Sequence, residues 1–151
     1  MALKEKVYLE SLGCPKNLVE SEYIASRLEH EGHVLSEDCD TVIINTCAFI
    51  SDAAKESIET VLLEAKAKDI TERKIVVTGC LVERYQERLA KLLPEVDLFV
   101  GRGAYHEIEK LIAKEGYFFR DTPFYDAFPR KILTSKPSAY LKIQEGCDNR
   151  C

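Results

Sequence analysis

At 151 residues, with 46% hydrophobic and 31% charged residues, the chain has the balance of one ordinary globular domain plus a short extension. Its net charge of −5 argues against a general nucleic-acid clamp, which needs a basic face, and is compatible with a basic protein partner. No apolar run approaches the roughly 20 residues of a membrane span, and the charged start at Lys4, Glu5 and Lys6 lacks the apolar core of a secretory leader. A cytoplasmic setting is expected, where cysteine clusters more often bind metal than form disulfides.

The first predicted strand runs from Lys6 to Glu10 and ends at Ser11-Leu12-Gly13-Cys14-Pro15. A helix follows, with Asn17 as a plausible N-cap and Glu20 completing a capping box. Leu18, Ile24, Ala25 and Leu28 would form its apolar face, and Gly32 would stop it. His33-Val34-Leu35 can form a short extended piece. Val42 to Thr46 is a nearly continuous apolar run, as expected of a parallel strand covered on both faces. The next helix is placed at Ser51 to Lys68, with Ala54, Ile58, Val61, Leu62 and Ala65 at helical spacing. A third strand at Lys74 to Thr78 leads through Gly79-Cys80 into a helix near Val82 to Leu93, closed by Pro94. Leu98-Phe99-Val100 reads as a fourth strand and Tyr105 to Lys114 as a fourth helix. Gly101-Arg102-Gly103, too short for a phosphate loop, reads as the turn between them.

From Tyr117 the character changes. Residues 117–137 carry aromatics, Pro123, Pro129 and Pro137 and no sustained period, and read as a linker or wrapping segment. Tyr140 to Gln144 reads as the first strand of a new domain spanning 138–151. It runs into Gly146-Cys147-Asp148-Asn149-Arg150-Cys151, and the sequence looks cut inside a motif. The expected organisation is therefore a domain over 1–116, a linker over 117–137 and a truncated second domain over 138–151.

Strands alternating with helices predict an α/β fold: an open parallel sheet of the Rossmann or flavodoxin-like kind, in three layers. Cys14, Cys47 and Cys80 follow one another at intervals of 33 residues, and each closes a predicted strand. That interval is the length of one strand–helix repeat, so the three thiols are expected together at the carboxyl edge of the sheet. Open α/β sheets place their ligands at that edge. Three thiolates with no obvious fourth partner point to an iron–sulfur cluster with one iron left open. Structural zinc wants four ligands, commonly in close pairs. Gly13 and Gly79 would let the backbone approach a bulky ligand, and the helix starts after each loop favour an anionic site. Lys16, Asn17, Thr46 and Thr78 flank it and could hydrogen-bond cluster sulfurs, although capping and strand termination explain them equally well. Cys39 lies at the opposite end of the sheet and reads as a bystander, and His30, His33 and His106 read as surface residues.

Ser11-Leu12-Gly13-Cys14-Pro15-Lys16-Asn17, Asn45-Thr46-Cys47-Ala48-Phe49-Ile50 and Thr78-Gly79-Cys80-Leu81 resemble the amino-terminal domain of methylthiotransferases, which are radical S-adenosylmethionine enzymes. The Cys-Pro-Lys-Asn form at Cys14, with Ala54-Lys55-Glu56-Ser57-Ile58 after the second cysteine, is similar to the RimO branch rather than the tRNA-modifying MiaB branch, which typically has Cys-Gln-Met-Asn there. The resemblance covers essentially the whole chain. It implies that Cys14, Cys47 and Cys80 ligate an auxiliary [4Fe-4S] cluster. It implies that Cys147 and Cys151 are the first two cysteines of the CxxxCxxC motif of a second [4Fe-4S] cluster, which cleaves S-adenosylmethionine; the third would fall at position 154. The implied reaction adds a methylthio group to the β-carbon of an aspartate in ribosomal protein twelve of the small subunit, with an electron donor and a sulfur source as further partners. No membrane and no direct nucleic-acid contact is implied for this domain. A chain without the rest of the barrel and the carboxy-terminal TRAM domain is not expected to catalyse the reaction alone. A tRNA adenosine methylthiotransferase, and a non-catalytic zinc or metal-free α/β binding module, remain the alternatives.

Overall fold

The computed structural model describes residues 4–122, 129–146, 148 and 149. Six strands form one all-parallel sheet in the order β2-β1-β3-β4-β5-β6. They are β1 (Lys6–Ser11), β2 (Val34–Leu35), β3 (Thr41–Thr46), β4 (Lys74–Gly79), β5 (Leu98–Val100) and β6 (Gly116–Phe118). The helices are α1 (Pro15–His30), α2 (Ser51–Thr71), α3 (Cys80–Tyr85), α4 (Glu87–Leu92) and α5 (Ile108–Leu111), with a 3-10 turn at Arg102–Glu107 before α5.

The alternation of side chains along each strand sorts the core into two layers. Ile43 and Val76 face α1 and α5, meeting Tyr23, Ile24, Leu28, Ile108 and Ile112. Val42, Ile44, Ile75 and Val77 face the other way, onto Val61 of α2, Leu81 and Val82 of α3, and Leu89 of α4. Every residue of β3 is buried, as its apolar run requires of a central parallel strand. Each such aliphatic side chain contributes about 1.5–3 kcal/mol by leaving water. The expected open three-layer α/β fold is the one observed.

Several local expectations change. The helix predicted near Val82 to Leu93 is two short helices, broken at Gln86, whose φ of 47° no helix tolerates. The fourth predicted helix starts as a 3-10 turn and ends at Leu111. The sheet continues into the stretch read as linker, because Gly116–Phe118 pairs with β5. The strand expected at Tyr140 to Gln144 does not form: among the described residues it has no strand partner, and Leu141 and Ile143 stay exposed. Of the expected face of α2, Val61 is buried and Ala54, Ile58 and Ala65 pack against the core, while Leu62 is exposed and Ser57 is buried. His33 is buried rather than superficial, its Nδ1 accepting the Glu5 N–H at 3.2 Å. Residues 130–133 of the later segment lie against α1. There Glu22 of α1 accepts the Leu133 N–H at 2.8 Å and pairs with Arg130 at 3.1 Å.

Candidate metal centre

The chain leaves β1 for α1 and β2 on one side, then crosses β1 to continue as β3 on the other. The carboxyl ends of β1 and β3 therefore flank a topological switch point, the crevice where open α/β sheets bind ligands. Cys14 follows β1 and stands at the N-cap of α1, Cys47 follows β3, and Cys80 follows β4, the neighbour of β3. The three are exposed, buried and half-buried respectively. Cys39, buried at the amino end of β3, is at the far edge of the sheet as expected.

The loops bearing the thiols pack on one another without spare room. Gly13, at φ +84°, lies so close to the second loop that a Cβ there would sit 2.4 Å from the Cys47 Cβ and 2.6 Å from its Sγ. Gly79, at φ +95°, would place a Cβ 2.4 Å from the Thr46 carbonyl oxygen. Neither position accepts a side chain. The closeness the glycines allow is thus of loop to loop.

Asn17 ties the three loops together. It is fully buried in the first turn of α1, which begins at Pro15, three residues earlier than a cap at Asn17 would place it. Its Nδ2 donates to Leu12 O (3.0 Å) and Thr46 O (2.8 Å), and its Oδ1 accepts the Cys80 Sγ–H at 3.6 Å. The capping box read from the sequence is therefore absent, and Glu20 instead meets Arg102. Asn45 supports Asn17 from β3, donating to its carbonyl and to Ser21 Oγ, both at 2.9 Å. Ser57 of α2 accepts the Cys47 N–H at 3.0 Å and donates to the Cys47 carbonyl at 2.8 Å. Thr46 Oγ1 donates to Thr78 O, and Thr78 Oγ1 bonds Val100 O and Tyr105 Oη. Those two hydroxyls belong to the frame of the sheet edge.

Electrostatics at Cys80 are mixed. Burial, the largest effect, raises its thiol pKa above the ordinary value; Lys16 and Arg102 oppose it, while Glu20 and Cys47 reinforce it. An open cavity of about 310 Å³ lies against Cys80, lined by Ala48, Phe49, Glu83, Arg84 and Arg102. Phe49 is 88% exposed at its mouth. Among the described residues, no three His, Cys, Asp or Glu side chains converge tightly enough to hold a single metal ion. A mononuclear zinc site has no donor set there. A cluster puts each thiolate on a different iron and so takes more widely spaced donors; Cys14, Cys47 and Cys80, on loops where Gly13 and Gly79 admit no side chain, have that chemistry. Cys147 and Cys151 lie outside the described residues. His30 and His106 are exposed and away from the site, as read.

The model of a family described as "Uncharacterized protein family UPF0004" matches residues 6–101, spanning β1 through β5 and all three thiol loops. The chain belongs to this family. It is also similar along nearly its whole length to proteins named ribosomal protein uS12 methylthiotransferase RimO. It is 49% identical to the one from Geotalea uraniireducens, an alignment covering 99% of this chain and 36% of that protein. It is 44% identical to that of Bdellovibrio bacteriovorus, over 99% of the chain and 35% of the relative. It is 42% identical to that of a Nitratiruptor species, over 99% and 34%. The chain spans about a third of the length of these curated relatives. The family match ends before Arg102, whereas the pairwise similarity extends through the later segment.

What sequence reasoning missed is Arg102 and the true role of Asn17. A capping asparagine and a bridging one look alike in sequence, and an arginine between two glycines reads as a turn.

Proposed function

We propose that this chain carries the auxiliary [4Fe-4S] site of a radical S-adenosylmethionine methylthiotransferase, with Cys14, Cys47 and Cys80 as thiolate ligands. In a full-length enzyme the reaction would add a methylthio group to the β-carbon of an aspartate of ribosomal protein uS12, in the cytoplasm, using an electron donor and a sulfur source. One observation carries the reading: three cysteines follow neighbouring parallel strand ends beside the switch point, in loops that admit no side chain at Gly13 or Gly79. The kinship with named uS12 methylthiotransferases supports the substrate assignment.

When bound, a cluster held by three thiolates offers one iron with an open position for a sulfur-bearing ligand. The chain's own residues prepare that arrangement. Ser57 fixes the Cys47 backbone from both sides, so the buried thiol presents a set direction. Cys80 must give up its proton to ligate; Lys16 and Arg102 favour the resulting anion. Asn17 holds the three loops in register. Arg84, Arg102 and Glu83 give the wall of the adjoining cavity polar groups of both signs, and Ala48 and Phe49 give it an apolar part. Cys147 and Cys151 are assigned to a second [4Fe-4S] cluster, which with S-adenosylmethionine would supply the radical chemistry.

The deciding measurement is iron and acid-labile sulfide after anaerobic reconstitution of this chain and of a C14A/C47A/C80A variant. About four irons per chain, lost in the variant, are expected of one such cluster. No iron, or one zinc indifferent to the variant, overturns the reading.

A further inference from the structure

The sheet ends in an open edge at β6. The Gly116 N–H donates to Asp97 O and the Phe118 carbonyl accepts from the Gly101 N–H, both at 2.8 Å, so these two residues turn toward β5. Successive residues of a strand turn their backbone groups to opposite sides, so the N–H and C=O of Tyr117 between them point away from the sheet. Among the described residues no strand lies beyond β6. Unpaired groups of this kind are a template for one more strand.

Beside the same edge lies an open cavity of about 600 Å³, with aromatic walls from Tyr85, Tyr117 and Phe119 and charged ones from Arg84, Glu87 and Arg88. Tyr117 and Phe119, two residues apart, stack their rings with centroids 6.3 Å apart. The Tyr117 hydroxyl is buried and has no hydrogen-bond partner among the described residues. Burial, reinforced by Glu83 and Glu87, pushes its pKa up to about 12, so at neutral pH it stays a donor. An extended polypeptide answers all of these features at once: its backbone continues the sheet, and one apolar or aromatic side chain enters the cavity. Charges of both signs on the walls, and the net charge of −5, disfavour a nucleic-acid backbone. At the opposite edge, Leu133 of the later segment already lines the hollow beside Leu35 of β2.

We propose that β6 and this cavity form a docking site for the polypeptide substrate, which adds as a strand at Tyr117 and seats one side chain against Phe119 and Tyr85. This rests on the reading of the chain as part of a uS12 methylthiotransferase. The position suits that role. β6 lies two strands from β4, about 10 Å across the sheet, and Arg84 lines both this cavity and the one against Cys80.

The test is binding of purified uS12 from Geotalea uraniireducens, source of the 49% identical relative, to this chain, metal-free and reduced. Anisotropy of labelled uS12 reads affinity, and amide hydrogen exchange reads place. Saturable binding is expected, with exchange at the Tyr117 amide slowed about tenfold. The Leu35 amide, which faces outward at the β2 edge because Val34 and Ser36 bond toward β1, should not change. Phe119→Ala should weaken binding about tenfold, the scale of one well-packed aromatic anchor; Phe119 lies outside both core layers. Tyr117→Phe should weaken it severalfold without lowering the melting temperature, since the hydroxyl it removes leaves no partner stranded. Ile70→Ala, at an exposed site on α2, should change nothing. Failure of uS12 to bind overturns the proposal, as does binding that ignores Phe119→Ala or protects Leu35 rather than Tyr117. Should Phe119→Ala unfold the chain, Tyr117→Phe and the exchange pattern decide the matter. Iron does not enter the readout. A chain that binds uS12 here and takes up no cluster sinks the cluster assignment alone, and one that takes up the cluster and ignores uS12 sinks the docking site alone.

Discussion

The two edges of the sheet are built from different chemistry. At the amino edge, charged side chains join the strands. Asp40 accepts the Lys6 N–H at 3.0 Å, Lys6 pairs with Asp38 at 2.7 Å, Glu5 accepts from Thr41 at 2.9 Å, and Asp97 accepts the Ile75 N–H at 2.8 Å while meeting Lys68. At the carboxyl edge the ties among the thiol loops are neutral amides and hydroxyls, Asn17, Asn45, Ser57, Thr46 and Thr78, drawn tight by glycines, with the buried pair of Arg102 and Glu20 alongside. Exposed ion pairs tolerate movement and contribute little each. Buried neutral hydrogen bonds have fixed directions, and losing one partner strands the other. An edge that only closes a sheet can use the first kind, and an edge that holds three thiols at set places needs the second. Cys39, buried alone at the amino edge, shows that burial of a cysteine is not what distinguishes the site.

Substitutions should reproduce this contrast in their size. The largest effect is expected of Gly79→Ala. Its Cβ would meet backbone at 2.4 Å while φ stays at +95°, which costs roughly 3 kcal/mol in strain and displacement. Urea unfolding should show that loss, and iron uptake should fall with it. A midpoint within error of wild type would show the loops to be looser than described. Asn17→Ala comes next. It leaves the Leu12 and Thr46 carbonyls without this donor, a cost of about 2 kcal/mol. The Cys80 thiol, losing its acceptor, should alkylate at a changed rate while Cys39 does not. Equal changes at both cysteines would mean general loosening rather than a local tie.

The smallest effect belongs to a charged contact away from the thiols and shows itself through pH. Burial, the largest single effect, acts to raise the Glu109 carboxyl, but its hydrogen bonds with Arg27 at 2.8 and 2.9 Å, a backbone hydrogen bond and the charges of Arg27 and Lys110 together hold its pKa below the ordinary 4.5. A carboxyl with a depressed folded pKa stabilises the fold above its unfolded value and loses that contribution as pH falls through the folded one. Wild type should therefore melt above Glu109→Gln at neutral pH, and the gap should close below about pH 4.5. A gap independent of pH would assign the effect to packing.

The parts legible from sequence were those governed by repetition. The apolar runs of β1, β3 and β4 have one meaning in an alternating chain, and the 33-residue interval of the cysteines is the length of the unit that places them on one edge. Features resting on a single contact were not legible. Gln86 carries no glycine or proline signal for the break it makes, since the left-handed backbone there follows from packing α3 and α4 separately onto the sheet. β6 is three residues long and exists because β5 offers it a ladder. Tyr140 to Gln144 has a comparable pattern and no ladder to join. Arg102 gains its importance from Glu20 and Glu145, 82 and 43 residues away, which no local window brings together.

The order of strands has a consequence for the timing of assembly. β3 pairs with β1 on one side and β4 on the other, and each partner lies some thirty residues off along the chain. Parallel pairings over such separations form late, because loop closure precedes any reward from contact. A nascent chain extended only through the β3 loop carries two of the three carboxyl-edge cysteines, and the third arrives with β4. The complete trio is therefore assembled only once β4 has joined the sheet, with β5 and β6 still to follow.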